Sequence, residues 1–383
     1  MDQNNEKKMT NYDRKVLAKE AAQKRAKTKG ILTTIGGVVI TLGLIALIVS
    51  SAIMKSKKPT EEFFQVNGES VSNLEFTFHK TNMINQNATM LQYMGITSGD
   101  QLAYAVYDEA TGATWDDFFT ERTAASIKEN KALIADAKKN NFTCDLEKEY
   151  ASYMEQIKAQ ADSSGMSVET FLLSMYGGDE KKLKKIIEDN LTALLYTEHL
   201  ATLNAATEEE AQAKYDENKD DYDSVDYRVL EFATGMTDES TEEEIETAMA
   251  DAKKKAQEML DKVKAGEDFE TLCATYAPED KRTEYADSET DLSLVTDATS
   301  YYIYEPYGDW LFEAERKAGD STLYTDEDNY SHYVVLFEKR YMGEDVIGTI
   351  QQSLTYTAVA EYIASISESY VISDPKGNIP VLN

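Results

Sequence analysis

The sequence predicts an α+β protein with a single transmembrane helix, a mainly α-helical domain and a second domain of mixed helices and strands. Three observations support this fold class. Residues 31–54 form a run of 24 residues without a charged side chain, long enough to cross a bilayer as a helix. From about residue 76 to 222 apolar residues recur at helical spacing, and residues 223–341 then show both strand and helix patterns.

The charge of the chain is divided unevenly along its length. Residues 1–30 contain nine Lys or Arg against four Asp or Glu, a net charge of +5, so the rest of the −31 total is −36. The positive-inside rule therefore predicts a cytoplasmic basic tail at 1–30, a membrane anchor at 31–54 and an extracytoplasmic body, in a single-pass protein of the cell membrane. A cleaved signal peptide is the alternative interpretation of the apolar run. The acidic body repels polyanions, which argues against nucleic acid as a partner.

The helical domain is predicted over 55–222. It opens with "FFQVNGESVSNLEF", which indicates a short strand, an Asn-Gly turn and the start of a helix. His79 and His199 fall within helices without a second His or Cys at ligand spacing, so we interpret both as ordinary helix residues. A helix at 344–372, followed by a tail at 373–383, has an apolar face too long to leave in water, and we expect it to pack on this domain.

The mixed domain is predicted over 223–341 from the order of its elements. Residues 224–234 alternate like a strand, and 240–266 form a capped helix that ends at Gly266. Two shorter helices and two closing strands complete a β-α-α-α-β-β order, which is typical of an α+β domain. The two cysteines are too few for a disulfide framework, and Cys273 falls on an apolar helix face as a core residue.

Several motifs occur in a fixed order along this second domain. They are "GEDFETLCATYA" (266–277), "DL" (291–292), "WLFEAERKAGD" (310–320), "YT" (324–325) and "YSHYVVLFEKR" (330–340). In this order they resemble the parvulin-type (PpiC-like) peptidyl-prolyl isomerases. The helical domain, with "VNGESV" and "MSVETFLLSMYG", is similar to the N-terminal chaperone region of SurA-like and PrsA-like extracytoplasmic foldases, which a C-terminal helix also joins. The resemblance covers most of residues 64–370, and the ordered set of motifs is more specific than any one of them.

The parvulin resemblance implies a set of site residues. In that family two histidines face each other across the sheet beside a Cys or Asp; His332 matches the second histidine, and Arg228 stands at the position of the first. Glu279 or Asp280 corresponds to the Cys or Asp, and we take Asp280 as the catalytic candidate together with His332 and Thr325. The residues that would bind the proline-containing substrate are Leu292, Trp310, Phe312 and Arg228.

Arg228 bears directly on whether such a site would work. An arginine is bulky, permanently charged and a donor only, so it cannot take the part of a neutral imidazole. Two interpretations of His332 therefore stay open: a catalytic group, or a strand residue whose ring is satisfied by hydrogen bonds.

Three functions follow from these observations. The first is a membrane-anchored extracytoplasmic foldase or chaperone that binds unfolded or nascent secreted polypeptides, including X-Pro segments. The second is a working prolyl isomerase, and the third is a non-catalytic envelope scaffold that uses a degenerate parvulin fold. The sequence shows no nucleotide-binding loop, zinc-ligand spacing or nucleophile–base motif, so no cofactor and no metal is predicted.

Overall fold

The computed structural model describes residues 58–279, 281–286, 291–303 and 306–380. It confirms the α+β class, because helices and antiparallel sheets occur together. The predicted basic tail at 1–30 and the predicted span at 31–54 lie outside the described residues. Within the described ranges no helix combines the length and the apolar character that a membrane span requires. The described residues form two compact units, 206–353 in one and 58–205 with 354–380 in the other, while the domain boundaries drawn from the sequence stay predictions.

Residues 58–205 are mainly helical. Their elements are β1 (Glu62–Val66), β2 (Glu69–Ser72), α1 (Asn73–Gln86), α2 (Ala88–Tyr93), α3 (Gly99–Leu102), β3 (Val106–Asp108), β4 (Ala113–Thr114), α4 (Trp115–Lys139), α5 (Leu146–Ser163), α6 (Val168–Tyr176) and α7 (Glu180–Leu203). Asn67 and Gly68 both have positive φ, 49° and 80°, which suits the tight turn of the β1–β2 hairpin. Side chains of Ser72, Thr114 and Asp179 cap the helices that follow them.

Residues 206–353 contain a four-stranded antiparallel sheet. Their elements are α8 (Glu208–Glu217), α9 (Lys219–Tyr222), β5 (Asp223–Ala233), α10 (Glu242–Lys264), α11 (Phe269–Tyr276), α12 (Arg282–Ala286), β6 (Leu294–Thr299), α13 (Gly308–Leu311), β7 (Ser321–Asp326) and β8 (Ser331–Met342). The strand order is β6-β5-β8-β7, and β5 pairs with β8 along its whole length. The closing strand and the first strand of the mixed domain therefore lie in one sheet.

The two faces of this sheet bury different cores. Leu230, Phe232 and Val334 pack with apolar residues of α10 and α11 on one face. Tyr227 and Val335 lie at alternate positions of the same strands, and they pack on the other face with the aromatic residues around α13. Because successive side chains of a strand point to opposite faces, a residue's position in β5 or β8 decides which core it enters.

The last helix, α14 (Val346–Ser367), belongs to the helical unit from Leu354 onward, and β9 (Ile372–Ser373) then pairs with β1. Val359 is buried in a cluster with residues of α4 and α7. The hydroxyl groups of Tyr362 and Tyr196 donate to Asp136 Oδ2 over 2.7 and 2.8 Å, and Asn140 donates to the same oxygen over 3.0 Å. One buried carboxyl group thus joins three helices of this unit.

We expect Asp136→Ala to lower the free energy of unfolding of the helical unit by about 2–4 kcal/mol, since it removes three hydrogen bonds and leaves the buried Tyr196 hydroxyl without its acceptor. Tyr362→Phe removes one donor and leaves the carboxyl bonded, so about 1 kcal/mol is expected. Urea unfolding followed by Trp115 fluorescence in a Trp310→Phe background measures both values, because the chain has two tryptophans and one lies in each unit. Equal losses in the two variants would contradict this role of Asp136.

Candidate functional site

His332 lies near the start of β8, between two neighbouring strands. It pairs with Phe232 on β5 and with Thr325 on β7. Directly paired residues of antiparallel strands project to the same face, so the ring of His332 lies on the face that packs against α10 and α11. Its relative exposure is 1%. The imidazole is therefore enclosed by the sheet and the helix layer.

Both ring nitrogens of His332 have partners. Nε2 lies 3.1 Å from the carbonyl oxygen of Met249 on α10, and Nδ1 lies 2.9 Å from Thr325 Oγ1. A carbonyl oxygen only accepts, so Nε2 carries the proton, and the neutral ring accepts from the Thr325 hydroxyl at Nδ1. Burial is the main effect and lowers the pKa of His332 from 6.5. Hydrogen bonds with the backbone of Met249 and Tyr324 act in the opposite direction, and the positive charge of Lys253 adds to the lowering. A neutral ring with both nitrogens engaged joins β7, β8 and α10, and neither nitrogen is left for a substrate.

Arg228 is held in an ionic cluster on the same face of the sheet. Its Nη1 lies 2.7 Å from Asp291 Oδ2 and 3.0 Å from Ser293 Oγ, and its Nε lies 2.9 Å from Glu338 Oε1. The β5–β8 register shifts between Asp226 and Tyr227, and this irregularity lies next to Glu338 in β8. The Arg228 and Asp291 side chains are 11% and 3% exposed. The guanidinium is therefore committed to internal partners.

The pKa of Asp291 shows which effect dominates in this cluster. Burial alone would raise it, but hydrogen bonds from Ser293 and the charge of Arg228 outweigh burial and hold the pKa below 3.8. Asp291 stays ionised and compensates the guanidinium. Removing one member of such a buried pair would leave an uncompensated charge.

The structure does not place Arg228 opposite His332. The residue that faces His332 across the β5–β8 pair is Phe232, whereas Arg228 pairs with Leu336. Arg228 thus lies four positions away, roughly 13 Å along the strand. An arginine-for-histidine exchange at the position facing His332, as the family pattern implies, is not what the strand register shows.

The other predicted site residues lie elsewhere. Trp310 and Phe312 are each 8% exposed and pack on the opposite face of the sheet from His332. Leu292 is 48% exposed, and Asp280 lies outside the described residues. Of the predicted residues that the structure describes, His332 and Thr325 are in contact, and the catalytic and substrate-binding roles stay predictions. Sequence matching could not separate the two faces, because Trp310 follows a long irregular stretch whose path the pattern does not determine.

A second feature, which the sequence analysis missed, lies in the helical unit. Fifteen large apolar side chains are exposed among the described residues, and six of them fall within the 18 residues from 90 to 107. They are 40–90% exposed. We call these six the apolar surface: Met90, Tyr93, Met94, Tyr104, Val106 and Tyr107. Exposed apolar residues that lie this close together in the chain are more informative than isolated ones, because continuous exposed apolar patches mark interaction sites.

A small, well-packed core supports the apolar surface. Leu91, Ile96 and Leu102 are buried with aromatic residues of α4. The Tyr107 ring lies 4.4 Å from the Phe118 ring and 4.9 Å from that of Trp115. The exposed side chains are thus carried by a fixed backbone. One sequence signal could have found three of them, Met90, Tyr93 and Met94: residues 81–99 contain no charged side chain, so α2 has no charged face to turn toward water.

A pocket of about 440 Å³ lies beside α3 in the same unit. Phe63, Leu74 and Phe76 form its apolar wall, and Gly99 of α3 and Ala103, which follows α3, lie at its edge. Lys80, which is 3% exposed, lines it as well and donates to Asp116 Oδ1 and Thr120 Oγ1 over 2.7 Å each. This volume is within the range that accommodates a small ligand or a few side chains.

No protein-family model and no curated protein matches the chain. Solved structures do match. PrsA from Bacillus subtilis is 14% identical over 70% of this chain and 93% of that one, with a TM-score of 0.22. The foldase PrsA from Streptococcus pneumoniae is 17% identical over 69% of this chain and 86% of that one, with a TM-score of 0.28. A third structure comes from work on PEB4 and Cj1289, which are described as SurA-like chaperones of Campylobacter jejuni. It is 15% identical over 80% of this chain and 96% of that one, with a TM-score of 0.27. These are the families that the sequence motifs indicate. At TM-scores this low, the function has to be argued from the chain's own residues.

The buried neutral ring of His332 has a measurable consequence for stability against pH. In the unfolded chain a histidine has a pKa near 6.5, whereas the folded value is lower, so the unfolded state binds protons first as the pH falls. The stability that His332 contributes is complete above pH 6.5 and is lost as the pH falls below it. We expect the difference in unfolding free energy between the protein and His332→Gln to shrink from pH 7.5 to pH 5. Trp310 fluorescence in a Trp115→Phe background reports on this unit, and a constant difference would contradict the assignment.

Proposed function

We propose that the chain is a membrane-tethered extracytoplasmic foldase of the chaperone type, which binds unfolded secreted polypeptides at the apolar surface. The observation that carries the proposal is the concentration of six exposed large apolar side chains in residues 90–107. The tether is the apolar run at 31–54, and the resemblance to SurA-like and PrsA-like foldases supports the same function.

The composition of the apolar surface suits the binding of many different segments. Methionine side chains are flexible and polarizable, and they adapt to varied apolar partners. Tyrosine presents a large area with few rotatable bonds, so it loses little entropy when it is covered. Burying each such side chain contributes about 1.5–3 kcal/mol before the costs of association. Contacts of this kind are non-directional and do not require one client sequence.

The strong negative charge of the body supports the same proposal. Residues after 30 carry a net charge of −36. Mutual repulsion of this size keeps proteins soluble and monomeric. An exposed apolar surface can therefore persist without joining copies of the chain to one another.

We expect the purified full-length chain to suppress aggregation of an unfolded client at near-stoichiometric amounts. The triple variant Met90→Ser, Tyr93→Ser and Met94→Ser removes half of the apolar surface and should lose most of this suppression. The control, Met166→Ser, Leu173→Ser and Leu203→Ser, removes three exposed apolar residues from elsewhere in the same unit and should retain the suppression. Light scattering of a thermally unfolded client measures all three. Absence of suppression by the unaltered chain, or equal loss in both variants, would sink the proposal.

The geometry around His332 supports a non-catalytic role for the parvulin-like unit. Rotation about an X-Pro bond faces a barrier of about 18–20 kcal/mol, and catalysis needs an apolar pocket with polar groups that favour the twisted amide. His332 is buried with both nitrogens engaged, and Arg228 is committed to Asp291 and Glu338. The proposed function therefore rests on binding and does not require turnover.

We expect exchange NMR on a short X-Pro peptide to give the same isomerisation rate with the chain as in buffer. Arg228→His should not raise this rate, because position 228 does not face His332, and the variant should be destabilised by loss of the Arg228–Asp291 pair. His332→Ala is the control for any residual rate. A clear rate enhancement by the unaltered chain that His332→Ala abolishes would establish the isomerase alternative instead.

A further inference from the structure

We propose that the pocket beside α3 binds a small, uncharged ring compound that carries an N–H or O–H donor. The pocket measures about 440 Å³, and the residues that line it all belong to the helical unit. Three properties of its lining define this class of ligand: an aromatic wall, two charges that compensate each other, and a buried oxygen without a donor. The inference goes beyond the proposed function and does not depend on it.

The apolar wall of the pocket suits a flat ring. The Phe63 and Phe76 rings are stacked, with their centres 3.9 Å and their planes 9° apart, and Tyr176 also lines the pocket. These three side chains are 7%, 3% and 2% exposed, so the core of the unit holds them in place. Aromatic rings offer stacked and edge-to-face contacts to another ring. Because the wall is already ordered, little conformational entropy is lost when a ligand covers it.

The two charged residues that line the pocket compensate each other. Lys80 donates to Asp116 Oδ1 and to Thr120 Oγ1 over 2.7 Å each, and its side chain is 3% exposed. A ligand with a net charge would enter a partly desolvated site where the described lining offers it no further counter-charge. This lining favours an uncharged ligand over a cation or an anion.

Asn73, the first residue of α1, has an acceptor without a donor. Its Nδ2 donates to the carbonyl oxygen of Lys58 over 3.0 Å, and because that oxygen only accepts, the orientation of the amide is determined. Asn73 is 7% exposed and lines the pocket. Its Oδ1 is shielded from water, and none of the described residues donates to it. A buried acceptor in this condition costs stability, which a ligand that brings a donor would recover.

Other donors of the lining have acceptors of their own. Lys80 donates to the two groups named above, and the Tyr176 hydroxyl donates to Asn82 Oδ1 over 2.9 Å. Nδ2 of Asn378 donates to a backbone carbonyl oxygen over 2.7 Å. These groups are engaged within the unit, so the ligand is the source of a donor for Asn73 Oδ1.

A site with such an acceptor distinguishes ligands of the same shape. An analogue that lacks the donor makes the same ring contacts but leaves the buried oxygen unpaired. We expect the analogue to bind roughly tenfold more weakly. Ring contacts alone would give both compounds the same affinity.

The test uses two probes of nearly equal shape: indole, which carries an N–H donor, and benzofuran, in which an oxygen replaces the N–H group. Saturation-transfer NMR with the full-length chain gives Kd for each probe. Indole is expected to bind about tenfold more tightly. Equal affinities, or no binding of either probe, would overturn the inference. The chaperone proposal would remain standing, because suppression of aggregation is measured separately.

Two matched variants of α1 assign the preference to Asn73. Asn73→Leu keeps a similar side-chain volume and removes Oδ1, so the ratio of the two Kd values should fall from about ten to about one. A purely structural effect would weaken both probes alike and leave the ratio unchanged, which would overturn the assignment. The control, Asn85→Leu, removes another amide with buried, unpartnered atoms that is not part of the pocket lining, and it should retain the ratio. Circular dichroism checks that both variants are folded.

A third variant separates the pocket from the apolar surface. Met90→Ser, Tyr93→Ser and Met94→Ser change exposed residues that are not part of the pocket lining. The preference for indole over benzofuran should be the same in this variant as in the unaltered chain. Loss of the preference would place the binding of the ring at the apolar surface and would overturn the inference.

Discussion

The pairing of β5 with β8 is the constraint on which the interpretation of the mixed unit depends. Because the two strands pair over eleven positions, each side chain is assigned to one face and to one opposite neighbour. His332 is thereby placed against Phe232, and Trp310 is left on the far side of the sheet. A change of one residue in register would reverse the faces, and the core that includes Leu230 and Val334 would be exposed. The apolar packing therefore fixes the positions of the polar residues.

The same sheet also shows why buried polar groups need not indicate chemistry. Arg228 meets Asp291 from 63 positions further along the chain and Glu338 from 110 positions further along, and each charge is compensated within the unit. His332 likewise donates to one partner and accepts from another. Compensated networks of this kind are costly to break, so they specify a single arrangement of the strands. His332 and Arg228 thus help to order the fold, while their catalytic and substrate-binding roles stay predictions.

Patterns within single segments predicted the helices and strands well. They could not predict which residues of distant segments pair with one another. The alternation of 224–234 corresponds to β5 at Asp223–Ala233, and the capped pattern of 240–266 corresponds to α10 at Glu242–Lys264. Both signals are periodicities within one segment. The identity of the residue facing His332 depends instead on the pairing of strands about 100 residues apart and on the register shift after Asp226. No property of a single segment contains that information, so the sequence could not show that Phe232, and not Arg228, faces His332.

The two units differ in how their buried charges and exposed apolar side chains are accommodated. In the mixed unit the buried charges have their counter-charges, so nothing in that cluster calls for a ligand. In the helical unit Tyr93 and Tyr104 are 90% and 82% exposed, although the core beneath them is well packed. Exposed area of this kind gives up hydrophobic stabilisation that folding could have gained. A partner that covered these side chains would recover this stabilisation, and for this reason the proposed binding function is centred on residues 90–107.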